Sequence, residues 1–405
     1  MISYDQRSGL IEQSPLPKEI CSVPQLIIGD STISSLKEIT KRYGISKPLV
    51  FTGENSLDAC GAWKLIAENF INFERIKISG EPDIDVVNYA AEIAISKNID
   101  GVIGIGGGSV IDAAKAVSAI ALERKPVEYF LEGVGKHKPS GKRLPLIAMP
   151  TTSGTGSEAT KNAVISGVKD SVPFKKSLRH DNYIPDVAII DSDLLIGSPE
   201  LVAYSSGMDA LTQLLEAFVS TKASKFTDPL AFEGLKIISH SLPATFDEKN
   251  AKKYRLQNAY AAFLSGICLA NAGLGLVHGY ASELGSLKPA PHGIICSSLL
   301  SPVTRKIIEA MLKDKKKFAP HLKKYALAGT IFGGPKRSSL ENSLKALITG
   351  LETLDKAFNL PSLKNFGYTP EELKKAAKAA SMKNSPIELS LSDKEDILFT
   401  SLGLN

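Results

Sequence analysis

The chain has 405 residues, of which 43% are hydrophobic and 22% are charged, and these proportions are ordinary for a globular protein. Because one hydrophobic core seldom serves so many residues, the length predicts two domains. The net charge of +5 is small, and the lysine-rich segments 313–317 and 374–378 contain no interleaved aromatic residues, so we interpret them as solvated helix faces and exclude nucleic acid as a partner.

The first seventeen residues contain no apolar run followed by a small-residue cleavage pattern, so we do not expect a secretory signal. Cys21, Cys60, Cys268 and Cys296 are scattered without CxxC spacing. This distribution argues against a disulfide framework and against a zinc site built from thiolates. It fits a reducing environment, and we expect a cytoplasmic protein.

Up to residue 195, short β-branched runs alternate with amphipathic helical patterns such as 86–97 and 110–122. The predicted strands are 25–29, 48–53, 75–79, 100–106, 145–150, 163–167 and 186–191. Strands separated by helices of this length indicate a parallel sheet with crossover helices.

A glycine-rich turn, Gly106–Ser109, joins one predicted strand to the helix that follows it. Glycines let the backbone approach a pyrophosphate closely, and the N-terminus of a helix attracts that anion. The alternative is a tight strand-to-helix turn without a ligand. Asp112 and Lys115 are three residues apart on the same helix, so they either form a surface ion pair or reach the ligand.

A second turn, 150–158, also follows a strand and contains threonine, serine and glycine residues. Small hydroxyl side chains offer many donors with little bulk, which suits contacts with a phosphate or with a nicotinamide amide. Two such turns in one parallel-sheet domain favour a dinucleotide ligand.

From residue 199 onward the helical pattern dominates, so we predict an α/β domain at 1–197 and an all-helical domain at 198–405. The predicted helices are 208–219, 229–241, 251–269, 303–312, 340–354 and 370–380. The uncharged stretch 259–277 is nearly long enough to span a membrane, but its serine, asparagine and glycine residues favour a buried core helix that ends at His278.

Asp209, His278 and His292 form a possible metal-binding set. Asp209 follows Ser-Ser-Gly and is predicted at the start of a helix, where its alternative role is to complement the helix dipole. The two histidines flank a segment rich in glycine and proline. Imidazoles together with a carboxylate suit zinc or ferrous iron, but sequence spacing alone leaves open whether the three side chains converge.

Taken together, these motifs resemble the iron-containing, or group III, alcohol dehydrogenases. The resemblance rests on five segments in the same order and on a fainter match in the tail: 106–115, 150–158, 207–212, 277–279, 291–293 and 384–397. It implies an α/β nucleotide-binding domain, an all-helical domain and an active site in the cleft between them. The implied activity is hydride transfer between NAD or NADP and a small alcohol or aldehyde.

The resemblance also implies roles for individual residues. Asp209, His278 and His292 match three metal ligands and would form the catalytic centre. The implied cofactor contacts are Gly106, Gly107, Gly108, Ser109, Asp112, Thr151, Thr152 and Ser157.

This chain departs from the family pattern at two positions. Gln213 stands where the family has a fourth ligand, a histidine four residues after the aspartate, and Ser282 stands where another histidine is common. Because an amide oxygen is a poorer ligand than imidazole, Gln213 predicts weak metal binding, with iron and zinc both possible. Glycerol dehydrogenases, which are similar in fold, use an aspartate and two histidines around zinc, so a three-ligand site is credible.

The choice between the two nicotinamide cofactors depends on the end of the second strand. An acidic side chain there binds the ribose hydroxyls of NAD and repels the 2′-phosphate of NADP. The family's NAD-selecting aspartate aligns with Gly53, which favours NADP slightly, while the neighbouring Glu54 opposes it.

Two other functions are compatible with the sequence. An NAD-recycling cyclase or lyase resembling dehydroquinate synthase would need a basic substrate pocket, for which the candidates are Lys161, Lys175, Lys176 and Arg179. A metal-free reductase, or a nucleotide-binding protein without activity, would be consistent with Gln213. We expect a homodimer or larger homo-oligomer, a small-molecule substrate and no membrane partner.

Overall fold

The computed structural model describes residues 11, 13–54, 57, 62–68, 72–169, 172–333 and 338–404. These residues belong to two compact units. The α/β unit consists of Cys21–Glu200 and Thr245–Gly266, and the helical unit consists of Leu201–Ala244, Ile267–Asn405 and the described part of Met1–Ile20.

The α/β unit is built on a parallel sheet of six strands, which confirms the predicted fold class. In chain order the strands of this unit are β1 (Gln25–Gly29), β2 (Pro48–Gly53), β3 (Glu74–Ile78), β4 (Gly101–Gly106), β5 (Leu146–Pro150), β6 (Asn162–Lys169), β7 (Val172–Arg179) and β8 (Val187–Asp191). The order across the sheet is β1-β8-β5-β4-β2-β3, and every pairing in it is parallel. Strands β4, β5 and β8 are buried along their whole length, as expected when both faces of a parallel sheet are covered.

The predicted strand 163–167 does not belong to this sheet. It lies within β6, which pairs in antiparallel fashion with β7 to form a separate two-stranded hairpin. Strand β7 was not predicted, because its residues, VPFKKSLR, combine a proline with several basic side chains. Such a segment does not show the apolar pattern by which a strand is recognised.

The helices of the α/β unit are short apart from two. They are α1 (Leu36–Arg42), α2 (Ala62–Ala67), α3 (Ile84–Ser96), α4 (Gly108–Glu123) and α5 (Ser192–Leu195). Helix α3 begins where the Asp83 side chain accepts a hydrogen bond from the Val86 N–H. Helix α4 is rich in alanine, and its small buried side chains allow it to pack closely against the sheet.

The helical unit contains the remaining helices, with α8 divided between the two units. They are α6 (Glu200–Phe218), α7 (Thr227–Ser241), α8 (Ala251–Ala272), α9 (Leu276–Leu287), α10 (His292–Leu312), α11 (Ala319–Gly329), α12 (Leu340–Phe358), α13 (Pro370–Ala379) and α14 (Leu391–Leu402). Single 3₁₀ turns occur at Thr32–Ser35, Val127–Tyr129, Ser157–Ala159, Asp181–Tyr183 and Leu363–Phe366.

Asp209 lies in the middle of α6, so the prediction that it begins a helix is wrong. Helix α6 begins at Glu200, and inside it the hydroxyl groups of Ser205 and Ser206 donate to the carbonyls of Val202 and Ala203 in the preceding turn. Serines bonded in this way are compatible with a helix interior. The alternative role of Asp209 at a helix N-terminus is therefore excluded.

His278 does not end the long core helix, contrary to the prediction. Helix α8 stops at Ala272, where Gly273 adopts a φ of +67° that terminates the helix, and His278 lies in the first turn of α9. Within the part of the chain that the structure describes, no single helix is long and apolar enough to cross a membrane. The bent pair α8 and α9, at 99° to each other, meets that test only when the two are taken together.

Candidate active site

The two glycine-containing turns lie side by side in the α/β unit. Strands β4 and β5 are neighbours in the parallel sheet, with Gly106 opposite Pro150. At their carboxyl ends the Thr151 N–H donates to the Gly106 carbonyl over 3.0 Å. The turn that precedes α4 and the turn that contains Thr152 therefore share one edge of the sheet, which is where α/β sheets bind nucleotides.

Gly107 is a residue of the first turn whose identity the packing of the protein does not explain. Its backbone, with φ −72° and ψ −178°, is one that any residue adopts. A Cβ atom there would lie 3.5 Å from the Thr152 side chain, which is an ordinary contact. By contrast, a Cβ at Gly106 would come within 2.6 Å of Val110. The protein's own packing therefore does not require glycine at 107, and a close contact between this residue and the cofactor stays a prediction.

Asp112 and Lys115 join the second turn to α4. Ser157 donates a hydrogen bond to the Asp112 carboxylate, which also accepts from the Val164 N–H at 2.8 Å. Lys115 is 0% exposed, and its ammonium group donates to the carbonyls of Ser157 and Asn162, each at 2.8 Å. Burial lowers the pKa of Lys115 to about 8.

Asp112 and Lys115 do form an ion pair, with 3.8 Å between the Lys115 ammonium nitrogen and Asp112 Oδ1, but the expectation that it lies at the surface is wrong, because the pair belongs to a buried network. Burial also raises the pKa of Asp112. Their contacts show that they position the second turn. A direct contact between the cofactor and Asp112 or Ser157 stays a prediction.

Gly53 ends β2 next to basic side chains of β3. The Lys77 ammonium group donates to the Glu54 carbonyl over 3.0 Å, directly after Gly53. Arg75 donates to the Thr52 hydroxyl, also over 3.0 Å, and its guanidinium group stacks over Trp63. This strand end consequently carries positive charge at the place where the sequence analysis expected the cofactor ribose.

Asp209, His278 and His292 come together in the helical unit, each from a different helix. The His278 Nε2 atom lies 3.2 Å from Asp209 Oδ1, and the His292 Nε2 atom lies 3.6 Å from the same oxygen. Ligand atoms of all three residues lie within 4.8 Å of one another. The convergence that the sequence left open is thus found, and the carboxylate and imidazole donors fit iron or zinc.

Glu216 is a residue that the sequence analysis missed. Its carboxylate accepts hydrogen bonds from His278 Nδ1 and from the Val277 N–H, both at 2.7 Å. These bonds orient the ring so that Nε2 points toward Asp209, as an outer carboxylate commonly does for a metal-binding histidine. Glu216 lies seven residues after Asp209 and therefore on the same face of α6, which is a signal that the sequence did contain.

The charges in this cluster stabilise one another. Burial alone would raise the pKa of Asp209, but His292, His278 and a hydrogen bond from Gln213 lower it to about 2. Burial alone would also lower the pKa of His278, but Cys296, Asp209 and Glu216 raise it well above its usual value. The cluster is therefore a buried site that attracts cations.

Gln213 and Cys296 occupy unexpected positions around Asp209. Gln213 is buried, and its side chain hydrogen-bonds the Asp209 carboxylate, so its amide group acts there as a donor. Cys296 lies on α10, and its sulfur atom is 3.7 Å from Asp209 Oδ1 and 3.9 Å from His278 Nε2. The prediction that thiolates do not bind metal rested on the absence of CxxC spacing, and that spacing gives no information about a single cysteine beside two histidines.

The basic residues considered for a cyclase pocket are paired with separate carboxylates of the α/β unit. Lys161 binds Asp181 at 2.7 Å, and Arg179 lies 3.5 Å from Glu132. Lys175 forms a short ion pair with Glu81. Because three of the four charges are already compensated, the described residues do not support a common anionic-substrate pocket.

Two family descriptions match successive parts of the chain. "Iron-containing alcohol dehydrogenase" matches residues 24–192, and "Fe-containing alcohol dehydrogenase family, C-terminal" matches residues 203–400. Alcohol dehydrogenase 4 of Saccharomyces cerevisiae is 31% identical, over 88% of this chain and 90% of its own length. The NAD-dependent methanol dehydrogenase of Bacillus methanolicus is 29% identical, over 88% and 91%. The solved alcohol dehydrogenase from Oenococcus oeni superposes with a TM-score of 0.84 at 25% identity, over 94% of this chain and 99% of that one.

Proposed function

Because this chain belongs to the iron-containing alcohol dehydrogenase family, we propose that it interconverts a small alcohol and its aldehyde with the help of a divalent metal at Asp209, His278 and His292. The protein is an oxidoreductase that acts on alcohols with a nicotinamide cofactor. The observation that carries the metal-assisted reaction is the convergence of these three side chains from three helices, with Glu216 behind His278.

The side chains of the cluster perform separate tasks in this reaction. Asp209 stays ionised at physiological pH, because its pKa is about 2. Glu216 accepts a hydrogen bond from His278 Nδ1, so Nε2 is the ring nitrogen that would give up its proton and hold the metal. A bound divalent metal supplies a Lewis acid that stabilises negative charge on the substrate oxygen as hydride moves to or from the nicotinamide.

The cofactor is held by the turns of the α/β unit. The hydrogen bonds of α4 begin with the Val110 and Ile111 N–H groups, which donate to the Gly107 carbonyl. The N–H groups ahead of them, at Gly108 and Ser109, suit a pyrophosphate, and Gly107 leaves room for its approach. We further propose that the enzyme accepts NADP with a slight preference over NAD. Gly53 offers no carboxylate to repel the 2′-phosphate of NADP. The Lys77 ammonium group lies next to Gly53, on the Glu54 carbonyl, and its positive charge would attract that phosphate.

A panel of small aldehydes, assayed with NADH and NADPH and with or without added zinc or iron, tests the proposed function. We expect turnover that a chelator abolishes and that zinc or iron restores. His278→Ala should lose it, whereas His240→Ala, which alters an exposed histidine of the same unit, should keep it. Chelator-resistant turnover in His278→Ala would show that the metal is not part of the mechanism.

A cytoplasmic location and a homodimeric or larger assembly remain predictions. Cell fractionation tests the first, and light scattering of the purified protein tests the second.

A further inference from the structure

We propose that the Cys296 thiolate is a fourth protein ligand of the metal, so that this chain holds the metal with one carboxylate, two imidazoles and one sulfur. The inference deepens the proposed function, because it rests on a divalent metal binding at Asp209, His278 and His292. It also replaces the expectation that Gln213 leaves the site short of a ligand.

The distances between donor atoms carry the argument. Zinc bonds of the usual lengths, arranged as a tetrahedron, separate two nitrogen or oxygen donors by about 3.3 Å and a sulfur from either by about 3.5 Å. The nitrogen-to-oxygen separations are 3.2 Å for His278 and 3.6 Å for His292, each measured to Asp209. The sulfur of Cys296 lies 3.7 Å from Asp209 Oδ1 and 3.9 Å from His278 Nε2. These four separations are within a few tenths of an ångström of the corresponding edges of such a tetrahedron, and the ligand atoms of His292 and Cys296 belong to the same group, in which every pair lies within 4.8 Å.

The position of Cys296 on α10 explains why its sulfur faces the cluster. His292 is the first residue of α10, and Cys296 follows four residues later on the same face. In the family pattern the two ligands that lie four residues apart are on the helix of Asp209. In this chain the two ligands with that spacing are His292 and Cys296, on α10. Gln213 stands at the position where the family has its histidine ligand. It hydrogen-bonds the Asp209 carboxylate and so holds that carboxylate in place.

A sulfur ligand changes which metal the site prefers. Thiolate is a soft donor that favours zinc, whereas carboxylate and imidazole alone suit zinc and ferrous iron alike. When the sulfur–metal bond forms, the thiol loses its proton to solvent and the thiolate contributes one negative charge. With Asp209, it neutralises both charges of a divalent cation in a buried site where an uncompensated charge is costly.

Cobalt reports directly on a sulfur ligand. The full-length protein is stripped of metal with a chelator and loaded with Co²⁺ under anaerobic conditions. We expect a thiolate-to-cobalt charge-transfer band in the near ultraviolet, at one cobalt per chain. Cys296→Ser should lose this band, whereas Cys268→Ser should keep it, since Cys268 is also buried but its thiol donates to the Thr227 carbonyl.

Zinc affinity gives a second measurement that does not depend on turnover. By chelator competition, Cys296→Ser should bind zinc at least about 100-fold more weakly, because residues that only support a ligand already change affinity by up to that factor. X-ray absorption of the zinc form should show one sulfur at about 2.3 Å. Wild-type protein that binds no cobalt, or binds it without the charge-transfer band, overturns the proposal, as does a Cys296→Ser variant that keeps the band.

These measurements test the Cys296 ligand separately from the proposed dehydrogenase reaction. A cobalt protein with the band but without aldehyde reduction would retain the Cys296 ligand and contradict the dehydrogenase reaction. Metal-dependent turnover without the band would retain the reaction and remove Cys296 from the ligand set.

Discussion

Replacing Gly107 with alanine separates cofactor binding from folding more cleanly than any other change in the two turns. The substitution adds one methyl group at the residue before α4, where the backbone is already compatible with alanine and the nearest side-chain atoms are 3.5 Å away. The cost of a poorer helix cap and the gain from a less flexible unfolded chain are each below about 1 kcal/mol. The free energy of unfolding should therefore change by less than about 1 kcal/mol.

Cofactor binding should respond much more strongly. A methyl group at 107 holds the pyrophosphate away from the backbone N–H groups of α4, and each charge-assisted hydrogen bond lost costs about 1.5–3 kcal/mol. The loss of one such bond corresponds to roughly 10- to 150-fold weaker binding. Titration of NADH and NADPH by fluorescence measures this change, and thermal unfolding of the same samples measures stability.

Gly285→Ala is the matched control for Gly107→Ala. Gly285 lies inside α9 in the helical unit, and a Cβ there would be 3.8 Å from Ile295, so the same chemical change is made away from the nucleotide turns. This variant should bind both cofactors like the wild type. Equal cofactor affinities in Gly107→Ala and wild type would mean that the pyrophosphate does not approach this turn.

Gly53→Asp should shift the ratio of kcat/KM values toward NADH, because the new carboxylate would repel the 2′-phosphate; an unchanged ratio would refute the alignment of this strand end. Glu216→Gln should weaken zinc binding about 10- to 100-fold in a chelator competition, since it loosens the orientation of His278, and wild-type affinity would show that Glu216 is dispensable. Burial raises the pKa of Glu158 from 4.5 to about 7, so its favourable contribution is complete below pH 4.5 and is lost as the pH rises through about 7. Glu158→Gln should therefore gain stability relative to wild type as the pH rises from about 4.5 to about 7 and keep that gain at higher pH, by an amount of order 1 kcal/mol or more, and parallel melting temperatures from pH 4.5 to pH 7 would contradict the shift.

The features that the sequence predicted correctly are those encoded within short stretches of chain. The alternation of apolar runs and helical patterns predicted the parallel sheet, with strands such as Gln25–Gly29 and Pro48–Gly53 at the expected residues. Glycine turns are also local signals, because the backbone conformation or the approach of a ligand requires that residue type at that place. The residue types at Asp209, His278 and His292 also indicated a possible metal-binding set, and the family motifs matched all three to metal ligands.

The features that the sequence did not reveal depend on how distant segments pack. From its sequence alone, Lys115 is expected at the surface. In the structure α4 packs against the turn that contains Ser157, and this packing buries Lys115 completely. Likewise, β7 is a strand only because β6 supplies its partner, and its own sequence carries little apolar pattern.

The candidate metal site shows the same division most clearly. The sequence alone identified a carboxylate and two imidazoles, together with a missing ligand at Gln213. Only the packing of α6, α9 and α10 brings Cys296 to Asp209, although the two residues are 87 positions apart in the chain. The rotation of each helix about its axis decides which side chains face the cluster, and that rotation is set by the whole buried surface of the helix, which no short motif encodes.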